Sequence, residues 1–241
     1  MARTLFEAVG YMLGKKAAQA KNAFELMGGT EEESLRAEIR LGRDMAAAML
    51  ERTPLIQENE ATRFAAQIGR WLASNVKERA LPFSFRVTAE QEPNALALPG
   101  GPIFVSWPLL AMCQGERDEI AFILGHEMGH IVRRHTLDRI VQDAAISLLL
   151  RRSSGRQAAS AWLSGAGRQM LSRAFSRDAE LEADAFAVAL VKRAGGDGLA
   201  GQRLLEKLAR MTSDRQVGIV GSYFATHPSF TERVANLRQQ T

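Results

Sequence analysis

The 241-residue sequence is poor in the features that stabilise secreted or membrane-spanning proteins. Its single cysteine, Cys113, excludes an internal disulfide bond. The apolar run at residues 5–13 is short and interrupted by Glu7, and the run at 144–150 is also too short to predict a membrane-spanning helix. The composition, 46% hydrophobic and 24% charged, is that of a globular protein. We therefore expect a soluble protein, cytoplasmic or peripheral to a membrane.

Acidic residues are scarce in one part of the chain, although the formal net charge of the whole sequence is only +4. Between Arg133 and Arg177 there are nine arginines, no lysine, and only two acids, Asp138 and Asp143. This arginine-rich stretch at 133–177 predicts either contact with an anionic membrane surface or acidic partner, or a solvated helical hairpin over the core. A nucleic-acid partner is not expected, because no binding motif accompanies the charge.

Histidine is also scarce, and two of the four histidines stand in one five-residue motif. His126, Glu127 and His130 form the pattern H-E-x-x-H, which is typical of a zinc site on a helix. Residues i and i+4 share one face of a helix, so both imidazoles can bind one Zn²⁺ at about 2.0–2.1 Å. Glu127 then lies where it can act as general base toward the metal-activated water. The alternative is a buried helix whose polar residues satisfy one another.

The segment around the motif is apolar on nearly every side from Ile120 to Val132, which predicts a helix in the core. Gly125 and Gly129 fall beside the ligand face of this helix. They indicate either a close approach by a neighbouring helix or the substrate, or ordinary tight packing. His135 falls on the opposite side of the same helical wheel, so we expect it to be a surface histidine at the helix end.

A catalytic zinc site usually has three protein ligands and a water, so a third ligand is needed. The acidic cluster at 178–184 is the best source. A helical wheel places Glu180 and Asp184 within an apolar stripe and turns Asp178 and Glu182 toward water. Because buried carboxylates need a metal, a charge or hydrogen-bond donors, Glu180 is the candidate third ligand and Asp184 the acceptor for a ligand histidine N–H. The alternative is an inward salt bridge to an arginine.

The two motifs together resemble those of the M48 family of zinc metallopeptidases, in particular its soluble bacterial members. The resemblance rests on H-E-M-G-H at 126–130, followed by Ser176-Arg-Asp-Ala-Glu-Leu-Glu-Ala-Asp184. It implies that Glu180 is the third zinc ligand and that Asp184 is the motif aspartate. It also implies a zincin-like metallopeptidase fold, one Zn²⁺ per chain and a polypeptide substrate.

Two weaker features agree with this resemblance. The segment 94–101 is similar to the one that precedes the motif helix in soluble bacterial members. Thr226-His227-Pro228, with Arg233 after it, resembles their late H-P motif. The likeness extends over most of the chain from residue 33 to 240, so we expect a single M48-like peptidase domain at 31–241 and an N-terminal segment, 1–30, of unassigned role.

Hydrophobic periodicity predicts mostly helix and a small sheet. Helices are expected at 31–52, 59–77, 116–135, 138–150, 157–173, 177–193, 198–212 and 229–239. Strands are expected at 83–88, 95–98 and 103–107. A small sheet followed by many helices indicates an α+β fold that is predominantly helical.

These observations lead to one functional hypothesis, a zinc-dependent endopeptidase that hydrolyses peptide bonds of extended or misfolded polypeptides. His126, His130 and Glu180 would bind the metal. Glu127 would take a proton from the attacking water and pass it to the leaving amine. One alternative is a non-catalytic, chaperone-like metal-binding module on the same fold. Another is a membrane-docked quality-control protease that uses the arginine-rich stretch.

Two further elements are assigned to the substrate and to the metal. An extended substrate is expected to pair its backbone with a strand edge at Asn94, Ala95 and Ala97. His227 is expected either to donate a hydrogen bond to the oxyanion of the reaction or to act as a fourth zinc ligand in a resting state. The remaining possibility for His227 is a surface histidine.

Overall fold

The computed structural model describes residues 30–51, 53–142, 173–213, 223, 226–227 and 230–240. Within them, eight helices and three strands follow one another along the chain. The helices are α1 Glu31–Leu50, α2 Glu60–Ala73, α3 Trp107–Met112, α4 Arg117–Val132, α5 His135–Gln142, α6 Arg177–Arg193, α7 Ala200–Ser213 and α8 Phe230–Gln240. The strands are β1 Ser84–Thr88, β2 Ala95–Ala97 and β3 Pro102–Ser106. The predicted α+β class, mostly helical with a small three-stranded sheet, is confirmed.

Part of the predicted organisation lies outside the described residues. This holds for the N-terminal segment 1–29, for nearly all of the predicted helix 157–173, and for the larger part of the arginine-rich stretch. The helix predicted at 138–150 is described only as far as Gln142. In the part of the chain that is described, no helix is both long enough and apolar enough to cross a membrane.

The three strands form one sheet in the order β1-β3-β2. β1 runs parallel to β3, and β2 runs antiparallel to β3 with Leu96 opposite Phe104. The tight turn between β2 and β3 contains Gly101, whose φ of +125° is a backbone conformation that favours glycine. A Cβ there would lie 2.7 Å from the carbonyl oxygen of Pro82. The sheet order leaves β2 at an edge.

The motif helix α4 lies in the core of the molecule. Every residue from Glu119 to Val132 is buried. The helices α2, α6 and α7 and the strands β2 and β3 pack around it. This burial confirms the predicted core helix and explains why the segment has no polar face. It also means that polar residues of the motif must find their partners inside the protein.

α4 and α6 approach each other along a seam of small residues. A Cβ on Gly129 would lie 3.0 Å from the Cα of Ala183, and one on Gly125 would lie 3.3 Å from the Cα of Ala187. Both glycines therefore let the backbone of α6 pack closely against α4, which favours the interpretation that a neighbouring helix approaches here. The seam brings Glu180, one turn before Ala183, beside the motif histidines.

The serine of the Ser176–Asp184 motif fixes where α6 begins. Ser176 is the N-cap, and its hydroxyl accepts a hydrogen bond from the N–H of Ala179 at 3.3 Å. Such caps stabilise a helix start by typically about 1 kcal/mol. The cap therefore fixes the start of α6 one turn before Glu180.

The predicted end of the motif helix is wrong. A single helix was expected at 116–135, but α4 ends at Val132 and α5 begins at His135. Between them, Arg134 has a left-handed φ of +62°, a conformation that a right-handed α-helix does not contain. The break changes the direction of the chain immediately before His135, so positions beyond Val132 no longer follow the wheel of α4.

A second boundary also differs from the prediction. Trp107 was expected to end a strand, but it is the first residue of α3. The side chain of Ser106 caps this helix by accepting from the N–H of Leu109, and Pro108 occupies its first turn, where a proline is well tolerated. The local capping signal therefore outweighs the apolar alternation of the preceding strand.

Candidate metal centre

Three parts of the chain bring four side chains that could bind a metal into one buried cluster. His126 and His130 come from α4, Glu180 comes from α6, and His227 comes from the chain between α7 and α8. Each offers one ligand atom, and these atoms lie within 4.8 Å of one another. None of the four residues is more than 1% exposed. Residues predicted from two separate motifs and a late histidine thus meet at one point.

The spacing of the donor atoms fits one tetrahedral ion. His126 Nε2 lies 3.1 Å from His130 Nε2 and 3.5 Å from Glu180 Oε2. Glu180 Oε1 lies 3.4 Å from His130 Nε2 and 3.0 Å from His227 Nδ1. A fifth pair, His227 Nδ1 and His126 Nε2, is separated by 3.3 Å. Ligand atoms at about 2.0–2.1 Å from a tetrahedral zinc ion lie roughly 3.3 Å apart, so these residues fit the metal that the motif implies.

Glu127 follows His126 on α4 and faces the same cluster. Its side chain is buried, and its Oε1 atom has no hydrogen-bond partner among the described residues. The Nε2 atom of His227 lies 3.5 Å from this oxygen. A buried carboxylate oxygen without a donor is costly. The position therefore suits a carboxylate that receives a proton from a bound molecule.

The outer nitrogen of His126 is held by a buried ion pair. His126 Nδ1–H donates to Asp184 Oδ1 at 2.8 Å, which leaves Nε2 unprotonated toward the other donor atoms. Arg233 donates from Nε and Nη2 to the same carboxylate, at 2.8 and 2.7 Å. Burial alone would raise the pKa of Asp184, but Arg233 and His126 hold it below its usual range. Asp184 thus lies where an acceptor for a ligand histidine was predicted.

Arg233 also contacts Glu180, the third candidate ligand. Its Nη1 lies 2.9 Å from Glu180 Oε2, although not in hydrogen-bonding geometry. Burial alone would raise the pKa of Glu180, but the charges of His227 and Arg233 lower it below its usual range. The alternative interpretation of the acidic cluster, an inward salt bridge to an arginine, is therefore present together with the metal-binding cluster rather than in place of it.

The role of Arg233 as an inner cation did not follow from the motifs, although a periodic signal was available. The residue is completely buried on α8. Its position shares one helical face with the apolar residues Phe230, Val234 and Leu237. A charged residue within such an apolar stripe needs a buried partner of opposite charge.

The prediction of a surface position for His135 is wrong. Its side chain is only 12% exposed, and its Nδ1 lies 3.0 Å from Nδ1 of His130. On the other side of the ring, Nε2 lies 3.3 Å from Glu182 Oε2. The reason is the left-handed Arg134, which ends α4 and returns the following residue toward the motif. Glu182 and Asp178 are themselves exposed, as the helical wheel predicted.

The face of the His130 ring is covered by an aromatic side chain. Phe175 stacks on it with a centroid distance of 3.9 Å and an interplanar angle of 18°. The guanidinium of Arg139 lies over the Phe175 ring, 3.5 Å from its centroid. Burial holds the pKa of His130 well below its usual value. His130 is therefore a neutral imidazole, as a metal ligand must be.

His227 is buried, so the possibility of a surface histidine is excluded. The chain around it is bonded to both walls of the site. On one side, the N–H of Tyr223 donates to the carbonyl oxygen of Pro93, just before β2. On the other side, the N–H of Phe175 donates to the carbonyl oxygen of Thr226, just before α6. These bonds hold His227 against the metal-binding cluster.

The strand assigned to the substrate lies beside the motif helix at the edge of the sheet. Both backbone groups of Asn94 are bonded to Ser106 of β3. The carbonyl oxygen accepts from Ser106 N–H, and the N–H donates to Ser106 Oγ. Backbone direction alternates along a strand. The N–H and carbonyl groups of Ala95 and Ala97 therefore point away from β3, whereas those of Asn94 do not.

A buried cluster of two histidines and a glutamate, supplied by an H-E-x-x-H helix and a second helix beside a small sheet, defines a zincin-like metallopeptidase fold. The family model for peptidase family M48 matches residues 57–241, so this chain belongs to that family. This membership confirms the predicted resemblance.

Among its relatives, the chain is 34% identical over 164 residues to the mitochondrial metalloendopeptidase OMA1 of Schizosaccharomyces pombe, covering 66% of this chain and 47% of that protein. It is 27% identical over 219 residues to the beta-barrel assembly-enhancing protease of Escherichia coli K12, covering 86% and 44%. It is 30% identical over 182 residues to metalloprotease YcaL of the same bacterium, covering 73% and 68%. The chain spans about half the length of the first two relatives.

Proposed function

We propose that this protein is a zinc-dependent endopeptidase that hydrolyses peptide bonds in extended or misfolded polypeptides. The observation that carries the proposal is the position of Glu127. It stands beside His126 with a buried carboxylate oxygen that lacks a hydrogen-bond partner among the described residues. A site that only held a metal would have no need of such a carboxylate.

The donor set supports zinc as the metal. Two imidazole nitrogens and one carboxylate, from His126, His130 and Glu180, are ligands that Zn²⁺ accepts in catalytic sites with a fourth position for water. When bound, zinc lowers the pKa of water toward about 7 and polarises the scissile carbonyl. Asp184 and Arg233 keep the Nε2 lone pair of His126 directed at the metal position.

The protein's own contribution to the chemistry is a proton transfer by Glu127. Its Oε1 atom takes the proton of the attacking water and later delivers it to the leaving amine. Glu127 is buried on the motif helix, directly after His126. The same burial excludes competing water from the site.

The edge strand β2 supports an extended substrate. Ala95 and Ala97 direct their backbone groups away from β3 but are buried, so a peptide segment in β conformation can pair with them only after this edge is uncovered. Asn94 lies at the start of this edge, but its backbone groups are bonded to β3. Only its side-chain amide is left for a substrate, and that amide donates to Glu90. Backbone pairing makes little demand on sequence, which suits a substrate class defined by extended conformation.

For His227, the role of a fourth metal ligand in a resting state is the better supported. Its Nδ1 lies 3.0–3.3 Å from ligand atoms of Glu180 and His126, which is the separation between neighbouring ligands of one ion. A substrate carbonyl needs the position that His227 holds, so the side chain of His227 has to move before hydrolysis. The role of an oxyanion donor would instead require Nε2, which faces Glu127.

The second candidate, a non-catalytic, chaperone-like metal-binding module, has one observation in its favour. Four buried donors surround the centre, and closed four-ligand sets are typical of structural zinc sites. Glu127 is evidence against this alternative, because a buried carboxylate oxygen that has no hydrogen-bond partner among the described residues has no purpose in a closed structural site. Peripheral membrane docking through the arginine-rich stretch is a separate proposal, which flotation with anionic and neutral vesicles tests directly.

Removal and restoration of the metal test the proposed activity. We expect a chelator to abolish cleavage of an unfolded polypeptide and zinc to restore it, whereas magnesium should not, because imidazole ligands do not suit that ion. The assay should follow both bound zinc and the appearance of internal fragments. Cleavage that continues in protein shown to contain no zinc would contradict the proposal.

A further inference from the structure

We propose that His135 and Glu182 form a positioning pair for His130, the second histidine of the motif. This inference rests on the proposed zinc site and adds two residues to it. Neither residue touches the cluster of ligand atoms. His135 acts on the metal through the ring of His130, and Glu182 acts through His135.

The direction of each hydrogen bond from His130 through His135 to Glu182 follows from the metal-facing nitrogen of His130, Nε2. His130 Nε2 points at the other donor atoms, 3.1 Å from His126 Nε2, and must be unprotonated to bind a metal. A neutral His130 therefore carries its proton on Nδ1. The acceptor for that proton is Nδ1 of His135, 3.0 Å away. A buried imidazole N–H left without an acceptor would be costly, so this contact stabilises the metal-binding tautomer.

The same reasoning fixes the proton on His135. Because Nδ1 of His135 accepts, its proton lies on Nε2, which faces the carboxylate of Glu182 at 3.3 Å. Glu182 Oε2 accepts this hydrogen bond and so selects the tautomer that leaves Nδ1 of His135 free to accept. One arrangement of protons thus satisfies both contacts, from the exposed carboxylate to the buried metal position.

The backbone places His135 for this contact. The left-handed Arg134 ends α4, and α5 begins with His135, whose ring turns back onto the motif. Arg134 also lies 3.4 Å from the buried carboxylate of Glu38 on α1. The contact between Arg134 and Glu38 therefore anchors the turn on the side away from the motif. It keeps the ring of His135 from turning toward solvent.

A purely structural role is the competing explanation. His135 could simply hold the start of α5 against α6 through Glu182, with no effect on the ligand. The two explanations differ in what a substitution by glutamine would do. His135→Gln keeps an oxygen that can accept from His130 Nδ1–H, whereas His135→Leu keeps bulk and removes the acceptor.

The test measures zinc affinity by competition with a chromogenic chelator, on the full chain. We expect His135→Leu to weaken zinc binding about tenfold, the lower end of the range for partners behind a metal ligand. His135→Gln should stay within about threefold of wild type, and Glu182→Ala should cost about threefold, because water can replace an exposed carboxylate. Asp178→Ala, an exposed carboxylate on the same helix, is the matched control and should change nothing.

A spectroscopic measurement on wild-type protein needs no variant to fold. In the zinc-loaded protein, ¹⁵N NMR of the imidazole rings should show His130 protonated at Nδ1 and His135 protonated at Nε2 only. A proton on Nδ1 of His135, or equal zinc loss in the leucine and glutamine variants, would overturn the inference. So would unchanged affinity in His135→Leu. Wild-type protein that binds no zinc would overturn the proposed function as well, which separates the two failures.

Discussion

Behind His126 stands a buried carboxylate that is itself paired with a buried arginine, whereas behind His130 stands a second imidazole that leads to a half-exposed carboxylate. The Asp184–Arg233 pair is completely enclosed. Glu182, by contrast, is 48% exposed and lies 3.3 Å from His135. Two candidate ligands of one type, one turn apart on the same helix, thus have outer partners of different charge and burial.

The difference indicates that the hydrogen bond that holds His126 is stronger than the one that holds His130. A charge-assisted hydrogen bond to an enclosed carboxylate is stronger than one between neutral rings. Arg233 also lies beside Glu180, so an outer partner of His126 directly contacts the third candidate ligand. We therefore expect substitutions behind His126 to disturb the metal more than those behind His130.

The largest effect on the metal should come from Glu180 itself. Glu180→Ala removes a ligand and leaves Arg233 without one of its two carboxylates, so zinc affinity should fall by more than about 100-fold, beyond the range of outer partners. Isothermal titration with zinc measures the change. Glu182→Ala, on the exposed side of the same helix, should cost only about threefold, and Asp178→Ala is the matched control that should change nothing. Loss of the metal in Glu182→Ala but not in Glu180→Ala would reverse our assignment of the two carboxylates.

A smaller effect is expected for Asp184→Asn, which tests the comparison directly. The amide keeps the shape of the carboxylate but removes the charge that pairs with Arg233 and accepts from His126. Zinc affinity should fall by about 10–100-fold. His135→Leu should cost less in the same titration. If the two losses were equal, or the order were inverted, the proposed difference between the two sides would be wrong.

The smallest effect on zinc affinity is expected for His227→Ala, because three ligands remain. As a resting ligand, His227 blocks the substrate position, so its removal should raise cleavage of an unfolded polypeptide or increase self-cleavage. As an oxyanion donor, its removal should instead lower kcat by about 10²–10³. Initial rates and zinc content distinguish these outcomes. The double variant with Glu127→Gln is the control, since a genuine gain in hydrolysis must disappear in it. Unchanged rate and affinity would exclude both roles.

The positions of His126, His130, Glu180 and Asp184 could be predicted because each lies within an uninterrupted helix. His126 and His130 follow the period of α4, and Glu180 and Asp184 follow the period of α6. Over such a helix, the angle between two residues depends only on their separation. The inward and outward carboxylates of α6 were therefore assigned to the correct faces from the apolar residues around them.

What the sequence did not predict depends on breaks in that periodicity and on distant contacts. The helical wheel predicted a surface position for His135, which is wrong because the left-handed conformation of Arg134 ends α4 three residues earlier than expected. Arg233 meets Asp184 only in the folded protein, 49 residues away along the chain. No local pattern contains that contact. The small helix α3 was missed because its cap, Ser106, is also the last residue of a strand.

The most direct test of the account is a paired measurement of zinc content and peptide cleavage for wild type and Glu127→Gln. The substitution keeps the shape of the side chain and all candidate ligands but removes the proton acceptor. The account predicts about one zinc per chain in both proteins and cleavage of an unfolded polypeptide that is lower by about 10²–10⁴ in the variant. Cleavage at the wild-type rate by Glu127→Gln, with zinc bound, would contradict it.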